Sequence, residues 1–298
     1  MPSLKDIQLK IVGVKKTQQI TKAMNMVAAA KLRGAQARME EFRPYADKFA
    51  SVMGELSGGA NPSAFPLMAQ REVKKSLLLV VTSDRGLCGA FNTNIISASE
   101  KYLQKEKEEG REPVVACIGK KGASYFSKSE YEVLHQTVDC MGNVQMLTAR
   151  QVGLELIRMF LAEDIDQVKL VYGRFVNVAV QKPTFRPILP ITPEGLSQGG
   201  EVEEAEEEQG PKATYIYEPA PEEILNQLMP MFVNVQIMAA MLETVASEMA
   251  ARMTSMDNAT NACNDIIQEL TLLFNKARQA AITGELMDIV GGAEALKG

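Results

Sequence analysis

Residues whose types and spacing could perform chemistry are few in this chain. The best candidate for a phosphate-binding turn is SDRGLCGAFNTN, residues 83–94, which follows an apolar run and precedes a helical segment. It lacks both the GxxxxGK[ST] and the GxGxxG spacing with which glycine-rich loops hold phosphates. We therefore interpret its glycines as a tight strand-to-helix turn and keep nucleotide binding as the less favoured alternative.

Two further candidates are equally sparse. The segment IGKKGASYF, residues 118–126, imitates the GxxG loop of KH domains, but its neighbours are of the α/β kind. His135, the single histidine, has no serine, cysteine or acid arrangement around it in sequence and is predicted to be a strand residue. The four cysteines show no CxxC spacing, so no metal site, cofactor site or disulfide framework is predicted; they are Cys88, Cys117, Cys140 and Cys263.

Composition indicates a soluble globular protein with 46% apolar residues. The longest aliphatic run, residues 77–81, is far shorter than the roughly 18 residues that a membrane-spanning helix needs, so no transmembrane segment is predicted. The net charge of −5 depends on seven acids between residues 194 and 211, which are predicted to form a disordered surface loop. The first 38 residues hold eight Lys or Arg against one acid, which favours an acidic partner.

The C-terminal third is predicted to be one long helix. Residues 231–283 contain neither glycine nor proline, and apolar residues recur at alternating steps of four and three from Ile224 to Ala280. Sixteen of these seventeen positions are apolar, a seam that requires a partner helix. The exception is Arg252, whose burial would be costly unless it is paired. A structural ion pair and a directional contact with a surrounding partner both meet that need.

The first 57 residues are predicted to form the partner helix. Its apolar stripe is interrupted at Gln18, Thr21 and Asn25, where the apolar face is predicted to shift to Ile20, Met24 and Val27. Residues 76–218, in which apolar runs alternate with helical stretches, are predicted to form a mainly parallel sheet covered by helices. ATYIY, residues 213–217, is a candidate edge strand.

Helix length predicts how these parts are arranged. A compact fold of this size has a diameter of about 50 Å, whereas a helix over residues 231–283 is about 80 Å long. We therefore predict an antiparallel coiled coil of residues 1–57 and 219–290 that projects from the α/β domain. Only eight of the 53 residues from 231 to 283 are charged, which predicts that other chains surround the rod; a helical-bundle core is the alternative.

Three stretches together carry a family resemblance: MPSLKDIQLKIVGVKKTQQITKAMNMVAAAKLRGAQ, TSDRGLCGAFNTN and LTLLFNKARQAAITGELMDIVGGA. They resemble the gamma subunit of the bacterial F-type ATP synthase, in order and over nearly the whole chain. The resemblance implies a Rossmann-like central domain and a coiled-coil shaft, the central rotor that couples transmembrane proton flow to ATP synthesis and hydrolysis at the beta subunits. It also implies that the chain is not catalytic alone.

The resemblance implies partners and contact residues as well. The partners would be the alpha3beta3 hexamer, the epsilon subunit and the membrane c-ring, on the cytoplasmic side of the bacterial inner membrane, with no nucleic acid. Residues that match family positions for rotor–stator coupling contacts are Lys22, Met24, Arg252, Arg278, Gln279 and Thr283. Gly284 departs from the helix-favouring residue expected there, and the acidic loop differs from the thiol-bearing insertion of chloroplast members. Two other classes remain as alternatives: an enzyme with an α/β catalytic domain, and a nucleic-acid-binding coiled-coil protein.

Overall fold

The structure is a computed structural model that describes residues 3–57, 65–192 and 221–295. The predicted acidic loop at 194–211 and the predicted edge strand at 213–217 lie outside the described residues. The elements, in chain order, are α1 (Leu4–Ser57), a 3-10 turn (Pro66–Met68), β1 (Lys75–Val81), α2 (Phe91–Glu108), β2 (Glu112–Ile118), α3 (Lys120–Phe126), β3 (Glu132–Thr137), α4 (Met146–Leu161), β4 (Gln167–Phe175), β5 (Gln181–Leu189) and α5 (Pro221–Ala295).

The five described strands form one sheet in the order β3-β2-β1-β4-β5. All neighbouring pairs are parallel except β4 with β5, which confirms the predicted Rossmann-like α/β fold. The apolar run VKLVYGRFVNVAV, residues 168–180, contains most of β4 and the turn that follows it. The side-chain oxygen of Asn177 accepts the backbone N–H groups of Ala179 and Val180, at 2.9 and 2.8 Å, and this turn separates β4 from β5.

Alternate residues of the central strands enter two different cores, because successive side chains of a strand point to opposite faces. Leu77, Leu79 and Val81 of β1 pack with α4 and with residues of α1 and α5. Leu78 and Val80 pack on the other face, with α2 and α3. Both faces of β1 are therefore buried, which explains why its sequence is a continuous apolar run rather than an alternating one.

The chain divides into two compact units, and each long helix contributes residues to both. Unit 1 comprises residues 1–29 and 252–298, and unit 2 comprises residues 30–251. Unit 2 contains the sheet, α2, α3 and α4, together with the remaining parts of α1 and α5.

Unit 1 is an antiparallel helix pair whose register is marked by three polar contacts. Gln18 donates to the side-chain oxygen of Asn264, the hydroxyls of Thr21 and Thr260 lie 2.8 Å apart, and Asn25 donates to the carbonyl of Met253 at 3.0 Å. Residue numbers rise along α1 as the partner numbers fall along α5, so the helices run in opposite directions. The predicted antiparallel coiled coil is confirmed.

The predicted shift of the apolar face of α1 is wrong. Ile20 and Val27 are 60% and 56% exposed, whereas Thr21 is buried and faces the partner helix. The seam thus continues straight through the polar positions. Hydrogen bonds across the pair satisfy the polar groups there, so no rotation of the helix is needed to avoid burying them.

In unit 2, the single-seam description of α5 is incomplete. Residues away from the predicted heptad positions are also buried, among them Phe232, Ile237 and Met241. This part of α5 packs against the sheet domain as well as α1, so several of its faces are apolar. By length and composition, part of α5 could cross a membrane, with a mean hydropathy of 1.4 over 18 residues, but 56% of that window is buried within the structure. Burial against the chain itself accounts for about half of this apolar surface.

The polar contacts predict a specific cross-link in unit 1. In a Cys263→Ser background, Thr21→Cys with Thr260→Cys is expected to form a disulfide on mild oxidation, because hydroxyls 2.8 Å apart place the two β-carbons within disulfide range. Ala23→Cys with Thr260→Cys is the control, since residue 23 is exposed on another face of α1. Non-reducing gels and mass spectrometry would measure the yield. Equal yields from the two pairs would contradict the register.

Candidate functional site

The carboxyl ends of three parallel strands are tied together by one carboxylate in unit 2. Asp84, which follows β1, accepts the backbone N–H groups of Lys120, Asp139 and Met141 at 2.8–2.9 Å. These N–H groups come from the segments after β2 and β3. The acid of the SDRGLCG segment therefore holds together the loops that follow β1, β2 and β3. This structural role agrees with the interpretation of the segment as a tight turn.

The GKKG segment is shaped by a close approach of backbone to backbone. Gly119 has φ +94°, and a β-carbon at this position would lie 2.1 Å from the carbonyl oxygen of Thr82. The Thr82 hydroxyl also accepts the N–H of Gly122 at 2.8 Å. Glycine is required here by packing against the end of β1, and no nucleic-acid contact is needed to explain the motif.

His135 and Cys117 of unit 2 lie in surroundings that favour a structural role over a catalytic one. His135 lies in the edge strand β3, where its Nε2 is 3.0 Å from the Thr137 hydroxyl, as expected of a strand residue. Burial raises the pKa of the Cys117 thiol to about 12, so the reactive thiolate is scarce near neutral pH. Within the described ranges, no group of three or more His, Cys, Asp or Glu is placed to hold a metal ion.

The unusual surface of this protein is the exposed apolar surface of unit 1. Among the described residues, thirteen of the twenty-five exposed large apolar side chains belong to unit 1, which holds about a quarter of the chain. Every residue from 278 to 294 is exposed. An apolar stripe runs along this C-terminal segment at steps of three and four, with exposures of 50–68%: Ile282, Leu286, Ile289 and Val290. Apolar patches of this kind mark surfaces that other molecules cover.

All six residues predicted as coupling contacts belong to unit 1. Four of them are exposed: Lys22, Arg278, Gln279 and Thr283. Met24 is half-buried on α1, and Arg252 is 8% exposed. The structure therefore separates them into two classes, since Arg252 takes part in the packing of the protein while the exposed four can contact another chain directly. Their role in coupling stays a prediction.

Comparison with known proteins identifies the family. A sequence model described as ATP synthase matches residues 3–296. The ATP synthase gamma chain of Nitratidesulfovibrio vulgaris is 53% identical over 299 residues and that of Desulfotalea psychrophila 53% over 297, each covering all of both chains. The chain belongs to the ATP synthase gamma chain family. The resemblance found in the three sequence stretches is confirmed.

Chains in solved structures of mitochondrial ATP synthases have a fold similar to that of this gamma chain family member. A central-stalk chain of the Tetrahymena thermophila mitochondrial ATP synthase is 26% identical, with a TM-score of 0.60 over 80% of this chain and 99% of that one. A chain of the Euglena gracilis mitochondrial enzyme has a TM-score of 0.68 at 22% identity, over 98% and 94%.

The backbone contact at Gly119 generates a stability prediction. Gly119→Ala is expected to lower the free energy of unfolding by about 3 kcal/mol or more, because the added methyl group meets a backbone oxygen that cannot move aside. Gly110→Ala is the matched control: its φ is +80°, but open space surrounds it, so only the backbone strain of about 1 kcal/mol applies. Urea unfolding of both variants measures the difference. Equal losses would mean that the close approach is absent.

Proposed function

We infer that this chain is the central rotor shaft of an F-type ATP synthase, the part that transmits torque between a membrane ion motor and the nucleotide-binding subunits. The observation that carries this function is the exposed apolar surface of unit 1, in a chain of the gamma chain family. A helix pair that stood alone in water would carry charge at most of these positions. Enclosure by other chains explains why it does not.

The shaft acts because its contacts with the surrounding subunits differ from one orientation to the next. Each orientation of an asymmetric rod touches the surrounding beta subunits differently, and so stabilises one nucleotide-binding conformation of each over the others. Rotation therefore converts torque into successive changes of nucleotide affinity, and by reciprocity ATP hydrolysis at the beta subunits drives rotation backwards. In this mechanism the chain itself makes and breaks no covalent bonds, and proton flow supplies the torque during synthesis.

Two groups of residues make the rotor–stator contacts. Lys22 and Met24 of α1 meet loops of the beta subunits, where acidic groups attract the positive charge of the N-terminal segment. Arg278, Gln279 and Thr283 face the inside of the ring, and their exposure leaves them available for that contact. Arg252 contributes through the packing of unit 1, because a buried guanidinium positions the helix pair rather than reaching a distant loop.

The remaining partners follow from the same proposal. The shaft stands within an alpha3beta3 hexamer, and the sheet domain joins the epsilon subunit and the c-ring. The chain is then a peripheral component of a membrane complex, on the cytoplasmic side of the bacterial inner membrane.

Assembly with the hexamer tests the shaft function. The full chain, coexpressed with the alpha and beta subunits of the same complex, is expected to copurify with them. Ile282→Asp with Leu286→Asp is expected to speed dissociation of that complex at least about tenfold, because burying each exposed apolar side chain contributes about 2 kcal/mol to association. Size-exclusion chromatography after dilution measures the loss.

A matched variant separates assembly from folding. Leu154→Asp also replaces a half-exposed leucine, but on α4 in unit 2, so it should leave dissociation unchanged. Both variants should unfold at the temperature of the unaltered chain, since the replaced side chains are exposed. A chain that never copurifies with the hexamer, or a tip variant that dissociates like the control, refutes the enclosure of this tip.

Met24→Lys tests the proposed coupling contact. We expect ATP hydrolysis to continue while fewer protons are pumped per ATP, because an added cation strengthens attraction to acidic loops and resists the partner exchange that rotation needs. Gln19→Lys adds the same charge on a different face of α1 and should leave the ratio near that of the original enzyme. Proton uptake and phosphate release, measured on the same vesicles, give the ratio. An unchanged ratio for Met24→Lys counts against this contact.

A further inference from the structure

An arginine-lined cavity lies within unit 2, and none of the residues assigned to the rotor contacts lines it. Its volume is about 340 Å³, near the lower end of the range for small-molecule sites. Its walls come from four elements: α1, β4, β5 and α5. Three arginines line it, namely Arg43 of α1, Arg174 of β4 and Arg186 of β5.

One of the three guanidinium groups is held in a fixed orientation. Arg186 donates to the side-chain oxygen of Gln236 at 2.7 Å and to the hydroxyl of Tyr172 at 3.1 Å, and its guanidinium lies 5.5 Å from the centre of the Tyr172 ring. A planar group oriented in this way loses little rotational freedom when it binds an oxyanion. The cavity is therefore preorganised on its β5 side.

Two acids share the cavity and partly offset its charge: Asp47 of α1 and Glu243 of α5. Burial raises the pKa of the Glu243 carboxyl above its usual range, and the nearby guanidinium groups counter this only in part. Among the described residues, the carboxylate has no ion pair within 4 Å. The lining holds three positive groups against two negative ones, and its net positive charge favours anions.

The remaining wall is apolar and aromatic. Phe42, Leu242 and Phe185 line it beside the charged groups. Bidentate guanidinium groups match the tetrahedral oxygens of phosphate, and an adjoining apolar wall accommodates the organic part of a phosphate ester. We propose that this cavity binds a small phosphate-bearing anion, with Arg43, Arg174 and Arg186 contacting the phosphate group.

Titration of the purified full-length chain with inorganic phosphate, and separately with adenosine monophosphate, tests the proposal by calorimetry. Saturable 1:1 binding is expected for at least one of the two. A preference of about tenfold for the monophosphate ester would identify the ligand as an organic phosphate that uses the apolar wall, and equal affinities would identify the phosphate group alone as the ligand.

Variants decide whether binding occurs in this cavity. Arg43→Gln should weaken binding about tenfold or more, because it removes one charge-assisted contact from an exposed side chain whose loss does not threaten folding. Arg38→Gln removes the same charge from an exposed position of α1 outside the cavity and should change affinity by less than about twofold. Thermal unfolding of both confirms that they fold.

Glu243→Gln supplies a second, opposite test. Removing the carboxylate should strengthen binding severalfold, because its negative charge no longer opposes the bound anion. Comparing variant and parent at one pH cancels the titration of phosphate itself. The proposal is overturned if neither compound binds saturably, or if Arg43→Gln and Arg38→Gln weaken binding equally. Either result leaves the rotor function untouched, because no rotor contact lies in this cavity.

Discussion

The pairing of the two chain ends in unit 1 is the interaction on which the functional surface depends. Gln18 and Asn264 are 246 positions apart in sequence, yet their side chains are in contact. The entropy cost of closing so long a connection grows only with the logarithm of its length, so a whole sheet domain between the ends adds little to it. The polar contacts then select one register, since a slipped pair would leave the buried Thr21 and the half-buried Asn25 without their partners.

That pairing also determines which side chains remain outside. Once Thr21 and Asn25 face α5, Ile20 and Val27 must face away from it, because residues one or two positions apart lie on different sides of a helix. The polar seam and the apolar exterior of α1 are thus one feature. At residues 20–27 of α1, hydrogen bonds therefore join the two helices while apolar side chains lie on the outer surface. Such a surface suits enclosure by other chains better than exposure to water.

Periodicity and composition predicted the elements well where one physical requirement dominated. Apolar runs gave β1 and β2, and the absence of helix breakers gave α5. Prediction failed where two requirements competed, as at Ile20, Met24 and Val27, since an apolar pattern does not reveal that hydrogen bonds between α1 and α5 can satisfy polar seam positions. The burial of Phe232 and Ile237 was missed because a heptad count assumes a single partner, whereas α5 packs on the sheet domain as well as on a helix.

The candidate site was less predictable than the fold. The coupling residues came from family resemblance, because the exposure of Lys22 or Thr283 has no signature in one sequence. The cavity arginines come from three separate elements, and their convergence required the fold.

The sheet domain illustrates why a fold that elsewhere binds nucleotides need not do so here. In open α/β sheets the ligand occupies the crevice beyond the carboxyl ends of the strands, where the strand order reverses. In this sheet that point lies between β1 and β4. The ring of Phe91, at the start of α2, packs so closely on Gly173 of β4 that a β-carbon there would lie 2.4 Å from it. Toward β2 and β3, the carboxylate of Asp84 accepts three backbone N–H groups from the segments that follow those strands. The close packing of Phe91 on Gly173 leaves little room on this side of β4, and the carboxylate that follows β1 is already bonded to the backbone rather than open to a ligand.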